Sequence, residues 1–254
     1  MATALVIEND PSDDVRRLGE WLTEAGLQLQ VLRAHAGEPI PDDLDGFAAL
    51  IVLGGPQAVY SGPDGTRAPW LTAIERLLRK AVRNRVPALG ICLGAQLLAT
   101  AHAGTVELSK AGPEVGPGLI GKRDAADTDP LFKRVPLMPD VFQWHEDEIT
   151  ELPHGAVLLA ASTRYPHQAF RLGDRAWGLQ FHIECDTDMI SHWAATSPLI
   201  QQVGYDPEAV VAACDALMVD VEEVWQPFAA RFAALALGQL EDAAPPRNLP
   251  LLGQ

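Results

Sequence analysis

The chain has 254 residues, 48% hydrophobic and 21% charged, which are values of a globular protein with room for one large domain or two small ones. Its formal charge of −15, from 19 basic and 34 acidic residues, argues against a nucleic-acid-binding surface, which would be basic. There is no apolar run of transmembrane length and no basic segment ahead of a cleavage site, and the three cysteines, Cys92, Cys185 and Cys214, form neither a CxxC pair nor an even-numbered framework, so the expected setting is a reducing cytoplasm with no membrane contact.

Strand and helix signals alternate along the chain. Thr3–Glu8 reads as a buried strand, and the run Asn9-Asp10-Pro11-Ser12-Asp13 supplies caps and a proline start for a helix to about Glu24, closed by Gly26. Leu27–Leu32 is the second strand. Phe47–Leu53 is apolar throughout, the pattern of a strand buried on both faces, and it ends in Gly54-Gly55-Pro56. A helix follows over about residues 68–84, with Leu71, Ile74, Leu77, Leu78, Ala81 and Val82 on one face. Val86–Ile91 is the next strand and leads into the helix-favouring run Ala95–Ala99. Residues 104–181 hold short strands broken by Gly and Pro, which suggests a mixed or antiparallel extension, closing with Ala176–Phe181. The expected class is α/β, a doubly wound and mostly parallel sheet with flanking helices and a small mixed-strand extension.

Beyond that, Asp206-Pro207 starts a helix, and Val210, Val211, Cys214, Leu217, Met218, Val221, Val224 and Trp225 form an apolar stripe with spacings of three and four. Pro227 should kink or restart it. The division expected is a catalytic domain over residues 1–200, a helical extension packed on it over 201–240, and a flexible tail over 241–254, where Pro245-Pro246 and Pro250 fall without periodicity.

The most informative stretch is Gly90-Ile91-Cys92-Leu93-Gly94, directly after a strand and before a helix. A strand turning abruptly into a helix between two glycines presents its central side chain at the strand's carboxyl end. Here that side chain is a thiol, and the helix N-terminus beside it favours the thiolate. A nucleophile needs a base. His182-Ile183-Glu184 follows the strand Ala176–Phe181, and in an extended chain residues two apart share a side, so Glu184 can orient the His182 ring. The Gly54-Gly55 turn can offer a backbone N–H to an anion, and the N–H of Leu93, next after the nucleophile, would be the second donor. His145-Glu146-Asp147-Glu148 is dense in ligand types but lacks metal-site spacing, so no metal is expected. Cys185 reads as a spectator thiol, and no cofactor is implied.

Taken together, Leu53-Gly54-Gly55-Pro56, Gly90-Ile91-Cys92-Leu93-Gly94-Ala95-Gln96 and Phe181-His182-Ile183-Glu184 resemble the triad-type, class I glutamine amidotransferases in content, order and spacing, over roughly residues 1–195. The resemblance is closest to stand-alone proteins similar to the glutaminase domain of GMP synthase, and Trp144-His145-Glu146-Asp147 resembles a W-H-x-D segment of that family. Many relatives read H-P-E where this chain has His182-Ile183-Glu184, which points away from the synthetase-fused members. The resemblance implies a flavodoxin-like fold, a Cys92–His182–Glu184 triad, an oxyanion hole at Gly55 and Leu93, and substrate contacts from Gly54, Gln96, His145, Glu146 and Asp147.

Three functions follow as expectations. The first is a glutaminase that feeds ammonia to a separate synthase, because no G-x-x-x-x-G-K-[ST] phosphate loop is present for activating an acceptor. The second keeps the chemistry in a free-standing γ-glutamyl hydrolase or peptidase. The third, a binding protein on the same scaffold, sits poorly with an intact Cys92, His182 and Glu184.

Overall fold

The computed structural model describes residues 2–61 and 67–240; the expected tail over 241–254 lies outside them. An eight-stranded sheet runs through the molecule. Its strands are β1 (Thr3–Glu8), β2 (Gln28–Arg33), β3 (Phe47–Val52), β4 (Ala88–Ile91), β7 (Gly121–Lys122), β10 (Val157–Ala161), β11 (Ala169–Leu172) and β12 (Ala176–Leu179), in the order β2-β1-β3-β4-β12-β11-β10-β7. The first five in that order pair in parallel and the last four in antiparallel fashion, with β12 belonging to both sets. Two antiparallel ribbons, β5 (Thr105–Leu108) with β9 (Asp147–Glu151) and β6 (Glu114–Leu119) with β8 (Asp140–His145), complete the mixed extension.

The strand pattern explains why both faces are covered. Along β1, Ala4 and Val6 enter one core while Leu5 and Ile7 enter the other, and along β3 Ala49 and Ile51 separate from Leu50 and Val52 in the same way. Successive side chains of a strand point to opposite faces, so a continuous apolar run demands helices on both. One face receives α2 (Leu71–Asn84) and part of α3 (Leu93–Thr100). The other receives α1 (Arg16–Glu24), α4 (Thr187–Thr196) and α7 (Met218–Ala236), through Leu18, Trp21, Trp193, Trp225 and Phe228.

Three sequence-based expectations need correction. The first helix begins at Arg16, one turn after the proposed caps. The preceding polar residues are engaged elsewhere: Asn9 donates its amide to the Leu53 carbonyl at 2.9 Å, Asp10 accepts from the Ser12 amide at 2.9 Å, and Asp13 is buried. Side chains that bond locally in this way compete with a helical start. The C-terminal stripe forms two helices, α6 (Pro207–Asp215) and α7, parted at Ala216-Leu217. Pro227 does not restart the helix; it lies exposed inside α7, whose Trp225, Phe228 and Phe232 are fully buried. Packing of that apolar face outweighs the one amide that proline withholds. Among the described residues no helix is long and apolar enough to cross a membrane.

Candidate active site

The cleft opens at the carboxyl ends of the parallel strands, where ligands bind in sheets of this kind. Cys92 sits between β4 and α3 with φ 49° and ψ −108°, a left-handed conformation that a side chain rarely adopts. The flanking glycines make this possible. A Cβ on Gly90 would stand 2.7 Å from the Ala95 nitrogen, and one on Gly94 would overlap the Val52 carbonyl, with its carbon at 2.8 Å. The strain at Cys92 is held by the Cys92 amide donating to Leu179 O at 2.8 Å and by Gln96 donating to Cys92 O at 3.0 Å.

β12 stops at Leu179, two residues short of expectation. Beyond it the extended chain pairs instead with β8, through Phe142 and His182. His182 and Glu184 do share a side: the ring Nδ1 and the Glu184 Oε1 are 2.6 Å apart, both residues are buried, and the other carboxylate oxygen accepts from the Ile183 amide at 2.9 Å. Nδ1 therefore carries the proton donated to Glu184, and the second ring nitrogen, Nε2, is buried. Burial alone would push the His182 pKa down, but the Glu184 carboxylate and the Cys92 sulfur outweigh it and hold it well above the usual histidine value. Cys92 and His182 line one cleft of about 350 Å³.

Of the expected donors, Gly55 lines the cleft and lies against Leu93, whose Cδ2 is 3.2 Å from where a Gly55 Cβ would be. Leu93 opens α3, where amides have no intrahelical acceptor. Gln96, His145, Glu146 and Asp147 all line the cleft. Gln96 donates to Gln180 Oε1 at 3.2 Å, and Tyr60 donates to Asp147 Oδ1 at 2.6 Å. Gly54 does not line the cleft itself but lies against two residues that do: a Cβ there would meet Asp13 Oδ2 at 3.0 Å and His182 Cε1 at 3.1 Å. Cys185 is buried, and burial drives its thiol well above the usual cysteine range; His182, Glu184 and Cys185 place ligand atoms within 4.8 Å of one another, and of these His182 and Glu184 are joined by the 2.6 Å hydrogen bond.

The sequence did not single out Asp13, Trp193 or the α4–α5 junction, Thr196 to Leu199, with α5 spanning Pro198–Val203; all line the cleft. Burial pushes the Asp13 carboxyl up to about 6 against the pull of His182. The Trp193 ring lies edge-on to His182 at 4.8 Å and packs on Trp144 at 5.5 Å. The one available signal for Asp13 was its place after the carboxyl end of β1, which the reading as a helix cap obscured.

This geometry has counterparts. The family model for glutamine amidotransferase class-I matches residues 15–189. The chain belongs to that family. It is 33% identical to the GMP synthase (glutamine-hydrolyzing) of Porphyromonas gingivalis over 185 residues, 72% of this chain but only 33% of that protein. It is 29% identical to γ-glutamyl peptidase 4 of Arabidopsis thaliana over 172 residues, 66% of each chain. A crystal structure of a glutamine amidotransferase from Thermotoga maritima superposes with a TM-score of 0.81 at 26% identity, covering 91% of this chain and 98% of that one. The doubly wound sheet is therefore the class I amidotransferase fold.

Proposed function

We propose that the protein is a glutaminase working through a Cys92–His182–Glu184 triad, and that it delivers ammonia to a separate acceptor enzyme. The observation that carries this reading is the pairing of a thiol on a strained elbow with an imidazole that lines the same cleft, interacts with that sulfur, and has its Nδ1 held by Glu184. The Cys92 thiolate adds to the side-chain carboxamide carbon of glutamine, and the carbonyl electron pair moves onto oxygen. The amides of Gly55 and Leu93 stabilise that oxyanion, each worth about 3 kcal/mol by analogy with other oxyanion holes. His182, as imidazolium, gives its Nε2 proton to the departing nitrogen, and the C–N bond breaks to release ammonia. The ring then takes a proton from water, which adds to the γ-glutamyl thioester; collapse releases glutamate and restores the thiolate beside the imidazolium. No cofactor is needed for either half. The cytoplasm is the compartment proposed for it.

A second reading, a free-standing γ-glutamyl hydrolase or peptidase, is favoured by one feature. The cleft continues past His182 to Trp193 and the α4–α5 junction, leaving space for a leaving group larger than ammonia. The similarity to a γ-glutamyl peptidase supports it too. Measuring kcat of the isolated chain on glutamine and on γ-glutamyl dipeptides decides between them. A glutaminase coupled to a partner releases ammonia slowly alone and faster with its acceptor enzyme; rapid hydrolysis of a γ-glutamyl dipeptide without a partner, with poor use of glutamine, overturns the first reading and leaves the triad in place.

A further inference from the structure

A line of polar side chains leads from the cleft wall to Glu114 on β6. A carboxylate only accepts hydrogen bonds, so Gln168 must turn its amide nitrogen towards Glu114, and Nε2 donates to Glu114 Oε2 at 2.8 Å. Its Oε1 then accepts from Gln143 Nε2 at 3.2 Å. Gln143 in turn presents its Oε1 to His145 Nε2 at 2.8 Å, with Glu114 Oε2 a further 3.5 Å acceptor for the same nitrogen. The carboxylate thus fixes both amides, and the amides fix the tautomer: the proton of neutral His145 belongs on Nε2. Nδ1 is then a bare lone pair, buried with no hydrogen-bond donor to it among the described residues, in a residue that forms part of the cleft wall. Tyr165 packs edge-on against the ring at 4.6 Å and holds its plane. Burial pushes the His145 pKa down despite Glu114, which keeps the ring neutral beside the cationic His182.

We propose that Glu114, Gln168 and Gln143 are positioning residues that hold His145 Nδ1 as an acceptor for the α-ammonium group of a γ-glutamyl substrate. The proposal rests on the functional reading above, since only such a substrate brings an ammonium group to the wall that also contains Glu146 and Asp147. An unsatisfied acceptor buried in a cleft is costly unless a ligand completes it.

The test exploits the polarity of the relay. Glu114→Gln keeps the shape but lets both amides turn over, so His145 Nδ1 is no longer reserved as an acceptor. KM for glutamine should rise about tenfold or more with kcat within twofold. Glutaramate, which lacks the α-amino group, should be used no worse than by the wild type. The double variant Glu114→Gln with Gln168→Glu moves the acceptor-only group one place along the line; Gln143 must again donate to it, and KM should return to near the wild-type value. Nitrogen-15 spectra of histidine-labelled protein should show an unprotonated Nδ1 at His145 in wild type and double variant, and a mixed tautomer in Glu114→Gln. A protonated Nδ1 in the wild type, an unchanged glutamine-to-glutaramate ratio in Glu114→Gln, or a double variant no better than the single overturns the proposal. If the wild type hydrolyses no γ-glutamyl compound, the functional reading fails and the ammonium assignment with it, while the spectra still decide whether the relay sets the tautomer.

Discussion

The two walls of the cleft are built differently. The wall proposed to carry the chemistry comes from the turns that follow strand ends: Gly55 follows β3, Cys92 follows β4 and His182 follows β12, with Leu93 and Glu184 next to them in the chain. Each group is fixed by backbone within two or three residues of a sheet ladder. The wall proposed to hold the substrate is assembled from distant pieces: Asp13 after β1, Trp144 to Asp147 from the end of β8 to the start of β9, and Trp193 to Leu199 across α4 and α5, brought together over long sequence separations. On the proposed function, chemistry is placed by short-range geometry and specificity by long-range packing, and substitutions in the two walls should fail in different ways.

The sharpest break is at the proposed nucleophile. Cys92→Ala should lower turnover by about 10⁴-fold or more, with thermal stability within about 1 kcal/mol of wild type, since alanine keeps the Cβ and the elbow hydrogen bonds. An electrophilic glutamine analogue should label Cys92 and leave the buried thiols Cys185 and Cys214 untouched. Retained activity in this variant, or labelling chiefly at Cys185, removes Cys92 from the mechanism.

Glu184→Gln should cost less than His182→Ala but still about 100-fold or more in kcat. In the native site one carboxylate oxygen accepts from His182 Nδ1 and the other from the Ile183 amide. A carboxamide has one acceptor for those two donors, so either the tautomer of His182 or the Ile183 bond is lost. Equal turnover in variant and wild type takes Glu184 out of the triad.

A structural break of the same wall is expected at Gly94→Ala. The added methyl would overlap the Val52 carbonyl, a backbone group that cannot swing away, and α3 would have to lift off β3. The cost should be about 3 kcal/mol or more, at the upper end of overpacking penalties, read as a lower midpoint in urea with an unchanged slope. A neutral Gly94→Ala shows that the elbow does not depend on that close approach.

The contrast between the walls also explains what was legible in the chain. Gly90, Gly94, Cys92, His182 and Glu184 declare themselves because their spacing is local and their neighbours are strands with unbroken apolar runs. The parallel half of the sheet was legible for the same reason, and its alternation of faces follows from β1 and β3. Asp13 was read as a helix cap because Asn9 to Asp13 has the composition of one; only the fold brings it against Gly54 and His182. The line from Glu114 through Gln168 and Gln143 to His145 spans separations of 54, 25 and 2 residues and has no spacing rule. Pro227 was read as a breaker because the burial of Trp225 and Phe228, which overrides it, is a tertiary fact.

The smallest effect expected is also the most diagnostic of the substrate wall. Asp13 is buried beside His182, Glu184 and Asp10, and desolvation, the largest effect on it, lifts its carboxyl to about 6 from an ordinary value near 3.8. The folded protein therefore keeps a proton on Asp13 between about pH 4 and pH 6 that the unfolded chain releases. Wherever the unfolded state binds fewer protons, stability falls as pH rises, so this group's penalty grows through that window and is complete above pH 6. About two pH units at 1.4 kcal/mol each set a ceiling of about 3 kcal/mol. Asp13→Asn removes the titration and keeps the shape. It should be more stable than wild type by about 1–3 kcal/mol at pH 7.5, with the gap closing below pH 4, and it should be slower, because the ionised carboxylate that costs stability also faces the imidazolium of His182. Melting of both proteins from pH 3.5 to 8 reads this directly. A gap that stays flat across that range shows that Asp13 carries no desolvation penalty, and a gap that widens towards acid reverses the sign of the argument.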